Sequence, residues 1–172
     1  DLKLGDPFDP ATNMGPVVSR AAQERIISMI EKAQSDGTAK LLTGGGIPGG
    51  DLADGFYVEP TVFGDVEPDS ELAQVEVFGP VLSLLRFRTE EEAIEIANST
   101  AYGLAAYLWT ADVHRINRLT TALEAGGVYV NGASPVVGCE LPFGGVGISG
   151  FGREGGLEGL LEFVRTKAVA IA

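Results

Sequence analysis

The chain has 172 residues, 45% of them hydrophobic and 21% charged, which is enough to bury a globular core. Its net charge of −12 argues against a nucleic-acid partner, because a phosphate backbone is met by a basic face. A single cysteine, Cys139, excludes an intrachain disulfide and points to a reducing, cytoplasmic setting, and no apolar run of about 18 residues is present to cross a membrane.

The chain opens on Asp1 in turn-rich sequence, as a processed product or a cut fragment would. The first periodic segment is SRAAQERIISMIEKAQSD, residues 19–36. Its apolar stripe of Ala22, Ile26, Ile27, Ile30 and Ala33 predicts a helix capped by Ser19 and ended at Gly37. AKLLTGGG reads as a short strand running into a turn, and GFYVEPTVFGDV as a strand that Pro60 places at an edge or a bend. GPVLSLLRFRT predicts a second, more buried strand, and Thr89 with Glu92 forms a capping box for the helix EEEAIEIANS.

YGLAAYLWT then predicts a strand, ADVHRINRLTTALEAG a helix closed by Gly126, and GVYVN a further strand. A helix from about Glu154 to Val164 and a last strand, KAVAIA, complete the order. Strands alternating with helices indicate an α/β fold with a mostly parallel sheet flanked by helices, and no long linker separates two domains. AVAIA lacks an in/out alternation, so it reads equally as an edge strand of the same sheet or as one donated to another segment or subunit.

The stretch ELPFGGVGISGFGREGG contains Gly145-x-Gly147-x-x-Gly150, the spacing of a dinucleotide-binding turn. That turn requires a strand directly before the first glycine, a helix directly after the last, and an acid about 20 residues on. Pro142 and Gly138 break any strand before it, and the count from Gly150 reaches the apolar Ala170. The glycines are instead expected to let other segments or a ligand approach the backbone. Phe143 and Phe151 are the large rings of this loop, with Phe151 expected to anchor it to the core.

Five motifs in order resemble the aldehyde dehydrogenase superfamily: GDPFDPATNMGPV, GFYVEPTVFGDV, EVFGPVL at residues 76–82, ANSTAYGLAAYLWT, and GGVYVN followed by PFGGVGISGFGREGGLEGLLEF. The resemblance runs from Gly5 to the C-terminus. It implies the C-terminal part of a catalytic domain (residues 1–164), incomplete at its N-terminus, with residues 165–172 as a C-terminal oligomerisation strand of a homo-oligomer. It further implies NAD or NADP as hydride acceptor and a small-molecule aldehyde as substrate. The nucleophilic cysteine and the glutamate base are expected upstream, so no catalytic residue is expected in this chain and the chain alone is expected to be inactive.

Carried onto this sequence, the resemblance makes Glu76 the carboxylate that accepts hydrogen bonds from both hydroxyls of the nicotinamide-side ribose. Two adjacent acceptors suit two adjacent donors. Phe78 is the ring packing near the nicotinamide, and Gly79-Pro80 turn the chain to hold both residues in place. Phe143 stands at the mouth of the substrate tunnel, whose wall the small aliphatic residues around Val136 and Val137 continue.

Cys139 adjoins Glu140, whose charge disfavours a thiolate, and the single histidine, His114, falls on a helix with no reason to face it. A passive thiol and a surface histidine are expected, with no metal site. Two other readings stay open: a truncated binding or structural module, and a related semialdehyde or thioester-forming dehydrogenase. The intact EVFGPV argues against the first, since a scaffold has no need of that carboxylate.

Overall fold

The computed structural model describes residues 2–134 and 140–172. The chain divides into two compact units, Asp1–Phe87 and Arg88–Ala172, with no linker between them.

The first unit is built on helix α1, Arg20–Ser35. The Ser19 hydroxyl accepts from the Ala22 N–H at 3.2 Å, as the sequence predicts, and Gly37 takes a φ of 69° just past the helix end. Strands β1 (Lys40–Thr43), β2 (Thr61–Gly64) and β3 (Val81–Ser83) form one sheet in the order β1-β2-β3. β1 runs antiparallel to β2 and β3 runs parallel to it, Thr61 lying opposite Val81. Pro60 therefore stands at the entrance to a central strand, not on an edge. The ladder begins at Thr61, whose N–H donates to the Pro80 carbonyl at 2.8 Å, so the missing proline donor is never needed.

β2 is also the more buried strand, with Phe63 inaccessible, whereas Leu82 of β3 is exposed. This reverses the expected order. β3 has a neighbour on one side among the described residues, and β2 has one on both. The core of this unit joins Ile26, Ile30 and Ala33 of α1 to Val58, Phe63, Val66, Leu72 and Val77, with Leu72 supplied by the short helix α2 (Glu71–Gln74). Gln23 is buried on the same helix and is satisfied, donating through Nε2 to the Tyr57 and Gly55 carbonyls at 2.7 and 3.2 Å.

The second unit comprises α3 (Glu90–Asn98), β4 (Ala105–Leu108), α4 (Val113–Ala122), β5 (Gly127–Val130) and α5 (Gly156–Leu161). β4 and β5 pair in parallel, with Tyr107 opposite Tyr129. The capping box of α3 forms with one change. Thr89 accepts from the Glu92 N–H at 3.2 Å, but the Glu92 carboxylate reaches back to the Arg88 N–H at 2.6 Å, one residue before the cap. α3 and α4 are tied by Glu90, which accepts from Arg115 at 2.8 Å and from Arg118 at 2.7 Å. The hydrogen bonds from Arg118 first, then Arg115, hold the Glu90 carboxyl down to a pKa of about 2.

Three expected elements differ. α4 closes at Leu123, whose extended ψ of 122° ends the helix, while the Asn98 side chain holds the Ala122 carbonyl and the Glu124 N–H. Gly126 is left for another role. α5 begins at Gly156, not Glu154, because the Glu154 backbone is committed to an antiparallel bridge with Phe143. Residues 165–172 form no strand here, and Val169 and Ile171 are exposed. A strand exists only through partner hydrogen bonds, and among the described residues no backbone bond ties this segment to another strand.

Candidate functional site

The expected site residues that the structure describes fall into two groups, one in each unit. In the first unit, α2 ends at Gln74 and the chain extends through Val75 into the turn 76–80. Val77 points into the core, 8% exposed, while Glu76 before it and Phe78 after it stay at the surface, the Phe78 ring 76% exposed. Phe78 shares this exposure with other rings of the chain, among them Phe8, Phe87, Phe151 and Phe163.

The turn is fixed from beneath. Phe78 has a φ of 47°, a left-handed conformation that costs a ring-bearing residue energy and persists only where its surroundings enforce it. Next to it, Gly79 lies so close to α1 that a Cβ on it would stand 2.5 Å from Cδ1 of Ile26. The Gly79 carbonyl accepts from the Val81 N–H at 2.8 Å and the Pro80 carbonyl from Thr61, so the turn flows directly into the β2–β3 ladder. Glu76 and Phe78 are thus held on either side of a buried anchor, at the lip of a sheet.

In the second unit, the glycine-rich loop answers the question its spacing raises. No helix follows Gly150 directly, and its glycines are used for backbone-to-backbone approach. A Cβ on Gly126 would collide with the Gly144 carbonyl, and one on Gly147, φ 60°, with the Ala101 carbonyl. The segment is laced to residues 101–103. The Val146 N–H donates to the Gly103 carbonyl at 3.0 Å, the Ile148 N–H to Ala101 at 3.0 Å, and the Gly103 N–H to the Ser149 hydroxyl at 3.0 Å.

Phe143 and Glu154 close the loop by exchanging two backbone hydrogen bonds of 2.7 Å each. Beside it lies an open hollow of about 340 Å³ whose walls include Leu104, Phe143, Ser149, Phe151, Arg153 and Glu162. Phe143 is half-buried at this wall. Phe151 does not anchor the loop to the core as expected: its ring is fully exposed, because the loop is already held by backbone bonds to residues 101–103.

Val137 and Cys139 lie outside the described residues. His114 is exposed on α4, and its N–H is held by the capping Asp112. Among the described residues no group of three or more histidine, cysteine or acidic side chains could hold a metal, and no helix is long and apolar enough to cross a membrane. Sequence reading passed over Arg153. Its guanidinium lies along the loop and donates through one nitrogen to the Gly145 and Gly152 carbonyls at 2.9 and 2.7 Å. A cation alone inside a glycine-rich stretch was the available signal, but its carbonyl partners depend on how the loop folds back.

The aldehyde dehydrogenase family profile matches residues 1–169. Betaine aldehyde dehydrogenase of Agrobacterium fabrum is 46% identical over 98% of this chain, and that of Cereibacter sphaeroides 45% identical over 99%. The chain spans 34% of the length of each. Among solved structures, Mycobacterium tuberculosis aldehyde dehydrogenase complexed with NAD+ superposes with a TM-score of 0.92, at 41% identity over 99% of this chain and 35% of its own. An NAD+ complex of Staphylococcus aureus betaine aldehyde dehydrogenase gives 0.91, at 40% identity over 96% of this chain and 34% of its own.

Proposed function

The chain belongs to the aldehyde dehydrogenase family, and we propose that it is the part of an NAD-dependent enzyme that orients cofactor and substrate while the full-length protein oxidises an aldehyde to a carboxylic acid. The observation that carries this reading is the turn 76–80, with Val77 buried, Glu76 and Phe78 outside it, and a strained backbone held in place by Ile26.

The residues fit the group they would hold. Glu76 offers two carboxylate oxygens to the two hydroxyls of a ribose, and charge-assisted bonds of this kind are roughly twice as strong as neutral ones. The exposed Phe78 ring offers a flat apolar surface beside it. When bound, the nicotinamide supplies the acceptor for the hydride. Glu76 and Phe78 do no bond-making themselves; they fix the ribose and so the ring position, where misplacement by about 1 Å can cost roughly 100-fold in rate. NAD is favoured over NADP because two of the structural relatives above are NAD+ complexes.

Phe143, together with Val137, is proposed to line the substrate tunnel. Its support is the half-buried ring on the wall of that hollow, in a loop that is closed by its own bridge. The names of the relatives make betaine aldehyde the first substrate to try. Residues 165–172 are proposed to pair with an oligomerisation element of a second subunit, a role that suits the exposed Val169 and Ile171.

The test is NADH formation by the full-length protein with betaine aldehyde and with simple aliphatic aldehydes, compared with a Glu76→Gln variant. Turnover that falls in the variant through weakened NAD binding or hydride transfer supports the reading. No turnover with any aldehyde overturns the activity, and unchanged kinetics in the variant remove Glu76 from the site.

A further inference from the structure

We infer that Arg153 is a positioning residue that sets the placement of Phe143 by stapling the glycine-rich loop across its width. The inference rests on the reading of Phe143 as a wall of the aldehyde tunnel. Three observations converge on it.

First, one guanidinium nitrogen of Arg153 reaches two carbonyls on opposite limbs of the loop, Gly145 at 2.9 Å and Gly152 at 2.7 Å. Residues seven apart in sequence are thereby fixed to one point, and the bonds are charge-assisted. Second, the backbone bridge that carries Phe143 ends on the residue next to the arginine, since Phe143 and Glu154 exchange both their N–H···O bonds. Arg153 thus sits one residue from the bridge that carries Phe143. Third, Gly144 lets both limbs come close: a Cβ there would stand 2.6 Å from the Gly152 carbonyl oxygen, and 3.0 Å from Cδ and 3.2 Å from a terminal nitrogen of Arg153. The glycine beside Phe143 leaves room for the arginine to lie flat against the backbone.

With the staple removed, the Gly145 and Gly152 carbonyls lose their shared donor inside a partly buried loop of low intrinsic stiffness. Phe143 then samples positions off the tunnel wall, and aldehyde binding weakens. The turn 76–80, proposed to hold the cofactor, belongs to the other unit.

The experiment is steady-state kinetics of the full-length enzyme as wild type, Arg153→Met and Arg153→Lys. Loss of two charge-assisted bonds predicts a rise of about tenfold in the aldehyde KM for Arg153→Met, with the NAD KM unchanged. Lysine keeps the charge on a shorter stem, so Arg153→Lys recovers part of the loss, leaving a rise of about threefold. An unchanged aldehyde KM, or aldehyde and NAD KM rising in the same proportion, overturns the proposal. Where Arg153→Met yields no folded protein, the Arg153→Lys enzyme carries the same comparison. A wild-type protein that turns over no aldehyde is a different failure, of the proposed activity itself, and is seen before any variant is made.

Discussion

Ile26 fills the space that a side chain on Gly79 would need, its Cδ1 standing 2.5 Å from the position of a Cβ there. Ile26 is fully buried in the core of this unit. Gly79→Ala is therefore expected to overpack the α1–turn contact, at a cost of about 1–3 kcal/mol, and, on the proposed role of Glu76 and Phe78, to weaken NAD binding. Ile26→Val removes the nearest obstructing atom, Cδ1, and relieves part of the clash for about 1 kcal/mol, Cγ1 remaining at 2.9 Å. The double variant is expected to be more stable than the sum of the two losses implies. Denaturant unfolding of the four proteins measures the coupling, and strict additivity would break the link between α1 and the turn.

Phe78 adopts a φ of 47° while exposing three-quarters of its surface. Little burial is gained there to offset the strained backbone, which costs on the order of 1 kcal/mol. Phe78→Gly is expected to leave stability unchanged or raise it by up to about 1 kcal/mol while the NAD KM rises. Phe78→Ala keeps the strain and loses the ring, so it gains no stability and binds NAD equally weakly. Thermal unfolding beside NAD titration separates the two effects. A loss of stability in Phe78→Gly would mean that the ring is there for packing.

Where local chemistry decides an element, the sequence was readable: Ser19 capped its helix, Thr89 accepted from Glu92, and Gly37 ended α1 with a positive φ. The glycine run was also legible as a means of close approach, because Pro142 forbids the strand a dinucleotide turn requires. Pairing order was not. Pro60 could not reveal that β2 is central, since a proline directly before a ladder and a proline on an edge look alike in one dimension. Arg153 went unread for the same reason: its two carbonyl partners meet only after the loop has closed. The 76–80 turn was found by resemblance, and its strain at Phe78 and its support from Ile26 depend on contacts about 50 residues apart that no local pattern encodes.

Glu90 ties α3 to α4 through two arginines, and its carboxyl is held down to a pKa of about 2 from an ordinary 4.5. The sign follows from linkage: a group whose pKa falls on folding contributes stability above its unfolded pKa and loses it as pH drops through the folded value. The melting temperature of wild type should therefore exceed that of Glu90→Gln at neutral pH. The gap should narrow between about pH 4.5 and pH 2 and close below that. Both arginines are about half exposed, so added salt should shrink the neutral-pH gap as well. A gap independent of pH would assign the loss to packing and not to the ion pair.

Gly126 and Gly37 separate the two reasons a glycine is needed. Gly37 has a φ of 69° and open space around its missing side chain, so Gly37→Ala carries only the left-handed penalty of about 1 kcal/mol. Gly126 has no unusual φ, but its Cβ would collide with the Gly144 carbonyl, which is backbone in a loop held by its bonds to residues 101–103. Gly126→Ala must therefore displace the strand entrance or the Phe143 loop, at a cost of about 3 kcal/mol, the upper end of ordinary overpacking. The aldehyde KM should rise with it, since Phe143 rides on the displaced segment. Equilibrium unfolding and aldehyde kinetics of the two alanine variants test this together. Equal, small losses for both would mean that the loop does not rest on the start of β5.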